Sequence, residues 1–247
     1  MLALKDLTLF LQCPKCGHAN LSLSGSSLKC THCGSVYRIV QGIPDLRVGF
    51  YGYRPTLWKL FYDAYGRFYD ILEDAFASKV GFSEKLLRLE IVKAMELEGN
   101  NVVLEICTGT CRNLAYFSKL VDGTYIGLDA SPGMLRQCFK NLEENARVGL
   151  VLGFAENLPF KDEIFDRVLI GGCLGHIALK KRALEEACRV LKPGKTLIVY
   201  DQTTYLDRIS GKVYKTLENR PSELVLKSFR YLFRRHIYTA KFTKVIS

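Results

Sequence analysis

Between residues 100 and 201 short apolar runs alternate with segments of helical period, and this alternation restricts the fold more than any other feature. Strands are predicted at 102–107, 125–129, 148–153, 166–170 and 196–200, and helices at 112–121, 134–145 and 180–191. Strands that alternate with helices form βαβ units with right-handed crossovers. We therefore predict an α/β fold with a mainly parallel sheet and helices on both of its faces. Ligands of such sheets bind at the carboxyl ends of the strands.

Those strand ends carry the residues best suited to bind a ligand. The run VVLEICTGTC places Glu105 in the first strand and a turn of small residues around Gly109 before a helix. Such a turn brings backbone amides close to a ligand, and the helix N-terminus favours negative charge there. The second strand ends at Asp129, whose carboxylate is placed to accept two ribose hydroxyls. Ala155 and Glu156 follow the third strand.

Four motifs in this region resemble a known family. In order they are VLEICTGTC, GLDASPGML, FAENLPFKDEIFDRV and RVLKPGK, and they resemble class I S-adenosylmethionine (SAM)-dependent methyltransferases of the ubiquinone/menaquinone-biosynthesis type over roughly residues 60–201. The resemblance implies a Rossmann-like, mainly parallel seven-stranded sheet, SAM as cofactor and methyl transfer as activity. By the same resemblance the cofactor-binding residues are Glu105, Cys107, Gly109, Asp129, Ala155 and Glu156.

The sequence also departs from the family pattern. Cys107 and Cys111 replace two of the three glycines of the first motif, and a cysteine that takes a positive φ is strained because it carries a Cβ. Phe154 replaces an acidic residue, so we expect Glu156 to contact the adenine amine instead. We expect SAM binding to survive these changes. The two cysteines nevertheless favour one alternative, a SAM-binding regulatory or scaffold protein without catalysis.

The N-terminal part of the chain contains a predicted metal site. Cys13 and Cys16 form one CxxC pair, and Cys30 and Cys33 form a second. Two such pairs present four thiolates to one Zn²⁺ ion, and a closed four-thiolate shell leaves no position for chemistry, so we predict structural zinc. The runs LQCPKC and LKCTHCGSVYRIVQGIPDL resemble the zinc-ribbon family that includes the small activator subunit of tRNA, rRNA and release-factor methyltransferases. This resemblance implies that the ribbon supports a methyltransferase and contacts a protein partner.

The segment between the ribbon and the sheet is aromatic and predicted to be helical. Apolar residues at 85–97 have helical period. Tyr62 and Tyr69 lie in Tyr-Asp pairs that resemble the entry helices of the quinone-biosynthesis enzymes, in which such a helix covers the cofactor; an aromatic core stripe explains the same residues. The predicted domains are a zinc ribbon at 1–46, a linker with entry helices at 47–98 and a SAM-binding domain at 99–247.

The segment after the fourth strand, GGCLGHIALKK, is expected to face the methyl acceptor. It lacks the Asn/Asp-Pro-Pro-aromatic signature of enzymes that methylate exocyclic base amines. His176 is the candidate catalytic general base, because histidine exchanges protons readily near neutral pH. Capping of the next helix is the alternative role for His176. Cys173 is not expected to act as a nucleophile because no activating partner is visible.

The basic C-terminal segment bears on the acceptor. The formal net charge is +10, and the excess is concentrated after residue 202. A basic surface suits a polyanion, and the ribbon resembles an activator of tRNA and rRNA methyltransferases, so RNA is slightly favoured over a quinone- or lipid-like small molecule. We hypothesise that Arg230, Arg234 and Arg235 join the ribbon in one surface that binds RNA phosphates. The family resemblance implies a closing antiparallel strand after them, at 237–245.

Composition and cysteine use bear on location. No run approaches the ~18 apolar residues that a membrane span requires. The opening MLALKDLTLFLQ contains Lys5 and Asp6 and no small-residue cleavage site follows it, so we expect a cytoplasmic protein. The cysteines outside the ribbon are expected to be reduced thiols, namely Cys107, Cys111, Cys138, Cys173 and Cys188.

Overall fold

The computed structural model describes residues 1–49, 68–143 and 146–245, so Tyr62 lies outside the described residues. The N-terminal part contains helix α1 (Leu4–Thr8) and strands β1 (Leu21–Ser24), β2 (Ser27–Cys30), β3 (Val36–Val40) and β4 (Ile43–Pro44). The later helices are α2 (Tyr69–Val80), α3 (Glu84–Met95), α4 (Arg112–Leu120), α5 (Pro132–Asn141), α6 (Lys180–Val190), α7 (Tyr205–Ile209) and α8 (Lys212–Glu218). The later strands are β5 (Asn101–Ile106), β6 (Gly123–Asp129), β7 (Val148–Leu152), β8 (Phe165–Gly171), β9 (Leu191–Gln202), β10 (Leu224–Leu232) and β11 (Ile237–Lys244).

The main sheet has seven strands in the order β10-β11-β9-β8-β5-β6-β7. Strands β5 to β9 run parallel, whereas β11 pairs antiparallel with β9 and β10 antiparallel with β11. The predicted mainly parallel α/β fold with a closing antiparallel strand is thus confirmed. From β5 the chain winds through β6 and β7 to one side and through β8 and β9 to the other. This reversal opens a crevice at the carboxyl ends of β5 and β8.

Strand β10 was not predicted from the sequence. It has one buried end and several exposed residues, and it forms the outer edge of the sheet. Edge strands carry many polar and charged side chains, so their sequences resemble surface loops. The helix predicted to reach residue 145 ends at Asn141, because Leu142 takes an extended backbone conformation.

The ribbon forms a four-stranded antiparallel sheet that lies against the β7 edge of the main sheet. The backbone nitrogens of Leu46 and Leu2 donate to the carbonyls of Leu152 (2.8 Å) and Val148 (2.9 Å). Leu7 packs over β7 at Gly149, where an added Cβ would come within 2.9 Å of the leucine. Because Leu7 belongs to the same buried cluster as the main domain, the ribbon and the sheet share one core.

Candidate functional site

The loop after β5 and the end of β6 are joined by one carboxylate. Asp129 accepts hydrogen bonds from the backbone nitrogens of Gly109 (2.9 Å) and Ser131 (2.8 Å). Burial raises the pKa of Asp129, and the backbone N–H donors oppose that rise. The structure therefore brings Gly109 and Asp129, both predicted cofactor-binding residues, to one point in the crevice.

The loop itself adopts the conformation that the family's glycines would favour. The φ angles of Cys107, Gly109 and Cys111 are 59°, 56° and 63°. The strain expected for the two cysteines is therefore present, at roughly 1–2 kcal/mol for each left-handed residue. A Cβ added at Gly109 would meet no atom within 4 Å, so the loop backbone faces open space. A ligand that must approach the backbone closely fits such a loop.

Cys111 is also part of a disulfide. It is bonded to Cys138 of α5, with the two Cα atoms 5.0 Å apart. The expectation of reduced thiols is wrong for these two residues, because α4 and α5 pack side by side and bring their cysteines within disulfide range. The two cysteines are 27 positions apart in the chain, so no local sequence pattern indicates that they are in contact. Disulfides are uncommon in the cytosol, so cysteine use does not support a cytoplasmic location.

Glu105 lies at the centre of a buried polar network below the loop. Its carboxylate accepts hydrogen bonds from the Thr108 hydroxyl (2.7 Å) and from Asn113 Nδ2 (2.5 Å). Burial raises the pKa of Glu105 to about 7, although these hydrogen bonds and Arg88 favour the ionised form. The Asn113 amide also contacts the Tyr200 hydroxyl at 2.9 Å. A buried carboxyl group whose pKa lies near 7 is typical of functional sites.

Three members of this network were missed from the sequence. Asn113 and Tyr200 are both buried, and Arg88 donates to Asn113 Oδ1 at 2.6 Å while pairing with Glu84. Asn113 carries a weak signal, since it is a polar residue in the first turn after the cofactor loop. Arg88 and Tyr200 carry none, because their contacts join distant parts of the chain.

Helix α2 lies over the cofactor loop. The Asp70 carboxylate accepts hydrogen bonds from the Thr110 hydroxyl (2.7 Å) and from Asn141 Nδ2 (3.1 Å). Arg112 adds an ion pair to Asp74 at 2.7 Å. Tyr69 is half-buried at the start of the helix, and burial raises its pKa well above the usual range. These contacts fix α2 beside the loop that is predicted to bind the cofactor.

The remaining predicted cofactor residues are Cys107, Ala155 and Glu156, which follow the carboxyl ends of β5 and β7. Ala155 and Glu156 are both buried, and Glu156 accepts a hydrogen bond from the backbone nitrogen of Leu179 at 3.4 Å. The Cys107 thiol contacts Cys173, and this contact lowers the pKa of Cys107. Burial and the nearby carboxylates of Asp129, Glu156 and Asp201 have a larger opposite effect, so the pKa of Cys107 is raised overall. Three carboxylates, those of Asp129, Glu156 and Asp201, therefore lie near the Cys107 thiol, and carboxylates suit a ligand with hydroxyl, amine or cationic groups.

His176, the predicted general base, is exposed in the turn after β8. It does not cap α6, since Leu179 occupies the N-cap position and makes no side-chain capping bond. Asp201, at the end of β9, accepts a hydrogen bond from the backbone nitrogen of Gly175 at 2.8 Å. Burial raises the pKa of Asp201, and the backbone N–H groups of Gly175 and Gln202 oppose the rise. Asp201 therefore positions the turn that carries His176, a role the sequence did not reveal.

The four ribbon cysteines form a second candidate site. Their sulfur atoms all lie within 4.8 Å of one another. The Cys13–Cys33 and Cys16–Cys30 sulfur pairs are each 3.7 Å apart, and a tetrahedral zinc site with bonds of ~2.3 Å has sulfur–sulfur edges of about 3.8 Å. The donor set and its geometry thus fit a tetrahedral metal ion.

The arginines hypothesised to bind RNA do not share a surface with the ribbon. Arg230 lies on β10 and Arg234 and Arg235 in the turn after it, at one edge of the sheet, whereas the ribbon lies at the β7 edge. Six strand spacings, about 29 Å, separate these edges. The aromatic residues between the arginines are also engaged within the protein: Phe233 stacks on Phe82 and Phe229 on Tyr238. The joint surface was therefore wrongly predicted.

A seven-stranded sheet of this order, with an acidic residue at the end of β6 that holds the loop after β5, is the architecture of SAM-binding methyltransferases. A model of the methyltransferase domain matches residues 103–194. The demethylmenaquinone methyltransferase of Staphylococcus carnosus is 38% identical over 112 residues, which are 44% of this chain and 46% of that protein. The ubiquinone/menaquinone biosynthesis C-methyltransferase of Vibrio campbellii is 34% identical over 177 residues, covering 66% and 67%. The chain belongs to this SAM-dependent methyltransferase family.

The alignments with the first curated relatives cover only part of their length. The chain spans 46% of the length of the first curated relative and 57% and 56% of the next two. Among solved structures, a chain of the complex between the Haloferax volcanii Trm112 methyltransferase activator and a methyltransferase aligns with a TM-score of 0.63 at 15% identity. That alignment covers 75% of this chain and 98% of the other, and it is a likeness of fold.

Proposed function

We propose that this protein transfers the methyl group of SAM to a small apolar acceptor of the quinone or lipid type. The observation that carries the methyltransferase assignment is the hydrogen bond from Gly109 to Asp129, which sets an open loop beside a carboxylate at the crevice. The names of the quinone-biosynthesis relatives support the acceptor class. The proposed domains remain a zinc ribbon at 1–46, entry helices at 47–98 and the catalytic domain at 99–247.

Different residues around the crevice bind different parts of the cofactor in this proposal. A carboxylate has about four lone-pair sites, so Asp129 keeps acceptor capacity for ribose hydroxyls after its two backbone bonds. The amides of the loop at Cys107 and Gly109 and the start of α4 receive the methionine carboxylate. Glu105, when ionised, accepts the methionine ammonium. Ala155 and Glu156 hold the adenine end.

Bound SAM supplies an activated methyl group on a sulfonium. The chain's own task is to hold the acceptor in line with that group and to exclude water. His176 is the proposed general base that accepts the acceptor's proton at its imidazole nitrogen. Asp201 acts through the Gly175 backbone bond as a positioning residue for the same turn.

An apolar acceptor suits the mouth of the crevice better than a polyanion. Helix α2, which Asp70 fixes over the cofactor loop, and the preceding residue Phe68 expose three apolar side chains to solvent, namely Phe68 (60%), Ile71 (66%) and Leu72 (46%). Carboxylates line the crevice behind it, and they repel phosphate. The RNA alternative rests on the basic charge of the C-terminal segment and on the resemblance of the ribbon to an activator of tRNA and rRNA methyltransferases.

For the ribbon we propose a structural Zn²⁺ bound by Cys13, Cys16, Cys30 and Cys33. The ribbon covers the β7 edge and buries Leu7 there, so a folded ribbon stabilises β7, the strand that precedes Ala155 and Glu156. One solved structure with a similar fold comes from a complex with a methyltransferase activator, and this favours a role in which the ribbon stabilises the catalytic domain. A separate protein partner at the ribbon remains part of the proposal.

Two measurements test the proposed function. Calorimetry with SAM, on wild type and Asp129→Ala, measures cofactor binding. Transfer of labelled methyl from SAM to a water-soluble short-chain naphthoquinol, and separately to bulk RNA, measures the acceptor. We expect methyl transfer to the quinol alone. Transfer to RNA alone would establish the polyanion acceptor, and SAM binding without transfer to either would favour the scaffold alternative.

A further inference from the structure

The short helical hairpin after β9 presents apolar side chains to solvent. On α7, Tyr205, Leu206 and Ile209 are 68%, 74% and 66% exposed. Ile209 follows Tyr205 by four positions and Leu206 by three, and residues at these spacings are neighbours on a helix surface, so the three side chains form one patch around Ile209. The hairpin is held from below by Val213 and Leu217 of α8, which are buried in the main core. The α7 patch is therefore fixed in place with its apolar face outward.

Basic residues surround the α7 patch. Arg208 donates to the Arg235 carbonyl at 2.6 Å and so ties the turn between β10 and β11 to α7. Arg234 and Arg235 are exposed in that turn, and Lys212 and Lys215 are exposed on α8.

The acidic group within the patch is already engaged. Asp207 forms a capping box with Thr204 and lies 3.4 Å from Lys212. The surface therefore combines projecting apolar side chains with an excess of positive charge.

The α7 patch borders the crevice. The α7 helix starts three residues after Gln202, the last residue of β9, and Asp201 in that strand holds the turn that carries His176. The backbone nitrogen of Thr203 also donates to the His236 carbonyl at 2.8 Å, which fixes the basic turn at the same end of the sheet. A surface that binds the α7 patch thus lies next to the mouth of the site.

We propose that the α7 patch docks on the headgroup region of a membrane that contains anionic lipids. Apolar side chains rimmed by Lys and Arg are the pattern of interfacial membrane binding, in which burial of apolar groups and attraction to anionic headgroups act together. Leu206 and Ile209 have no ring to stack on a nucleobase, so a nucleic acid does not account for the apolar half of the patch. No helix within the described residues is long and apolar enough to span a membrane, and docking requires none. Delivery of an apolar acceptor from that membrane rests on the proposed function, but the docking does not.

Vesicle co-flotation tests the docking with the full chain. We expect binding to phosphatidylcholine vesicles that contain phosphatidylglycerol, weaker binding to phosphatidylcholine alone, and loss at high salt because exposed charges are screened. The variant Leu206→Ser/Ile209→Ser should bind about a hundredfold more weakly, because each exposed apolar side chain contributes on burial. The variant Arg234→Gln/Arg235→Gln should bind anionic vesicles about tenfold more weakly.

The control variant is Leu23→Ser/Val36→Ser on the ribbon, where both residues are also exposed. It should float like wild type. Calorimetry with SAM should give equal affinities for all four proteins, which separates a docking defect from loss of the cofactor site. Absence of binding to anionic vesicles, or equal binding by wild type and the α7 variant, would overturn the docking. Binding of an RNA oligonucleotide that depends on Arg234 and Arg235 but not on Leu206 and Ile209, without vesicle binding, would assign the surface to nucleic acid instead.

Discussion

Asp129 and Gly109 are joined by a 2.9 Å hydrogen bond from the glycine nitrogen to the carboxylate, across the top of two neighbouring parallel strands. The other oxygen of Asp129 holds the nitrogen of Ser131 at the start of α5. The residue proposed to bind the ribose is therefore also the residue that shapes the cofactor loop. A change at Asp129 alters binding and stability together.

We expect Asp129→Ala to weaken SAM binding at least ~10-fold and to lower the free energy of unfolding by about 1–3 kcal/mol, because two backbone donors lose their acceptor. Calorimetry and urea denaturation measure the two effects. The control is Asp6→Ala, which removes an exposed carboxylate from α1 and should change neither value. SAM affinity that stays at the wild-type value in a stably folded Asp129→Ala protein would refute the assignment.

The buried Glu105 predicts a pH dependence. Its pKa is raised by burial from 4.5 to about 7, so between these values the folded state keeps a proton that the unfolded state releases. The free energy of unfolding should then fall as pH rises through this window, by about 3 kcal/mol in total for Glu105. Glu105→Gln should remove this component. Urea denaturation at pH 5 and pH 8 measures it, with the exposed Glu98→Gln as control.

SAM binding should show the opposite trend with pH. Ionised Glu105 attracts the methionine ammonium, so affinity should rise as pH increases through about 7, and Glu105→Gln should flatten that rise. Calorimetry across this range measures it. A wild-type profile that does not change with pH, or one that Glu105→Gln leaves in place, would remove Glu105 from the cofactor site.

The sequence predicted the parallel sheet, the loop and Asp129 because their signals are local. A strand, a turn of small residues and a helix follow one another directly, so periodicity and spacing reveal them. The hydrogen-bond network around Glu105 has no such local signal in the sequence. Tyr200 reaches Asn113 across 87 positions in the chain, and only the packing of β9 beside β8 and β5 brings them together. No local pattern records that contact.

The misassigned C-terminal arginines show a related limit. Charge and aromatic content around Arg230 and Arg234 are visible in the sequence, but the edge of the sheet on which they lie is not. The placement of β10 at one edge and of the ribbon at the other follows from strand order. Strand order depends on contacts between distant segments, so composition alone led to the wrong surface.

The disulfide between Cys111 and Cys138 predicts a thiol count. In denatured, metal-free protein kept from reductant, seven cysteines should react with a thiol reagent, and prior reduction should expose the remaining two. Cys138→Ala should lower the free energy of unfolding by about 3–4 kcal/mol, because the bond closes a loop across 27 positions. Cys188→Ala, at a free buried cysteine, is the control for side-chain loss. Nine reactive thiols without reduction would contradict the disulfide.

Removal of the metal should weaken the main domain as well as the ribbon. We expect one zinc ion per chain by elemental analysis and its loss in Cys30→Ser, while Cys188→Ala keeps it.

Leu11 is fully buried beside Phe160, and the Lys161 nitrogen donates to the Phe10 carbonyl at 3.0 Å, so the main domain is bonded to a folded ribbon. Unfolding of the ribbon would expose that core and break that bond. Hydrogen exchange at the Lys161 amide measures the coupling, and it should accelerate in the chelated protein and in Cys30→Ser. An unchanged rate at Lys161 after metal loss would mean that the main domain does not depend on the ribbon, and a metal-free wild-type protein would remove the zinc site itself.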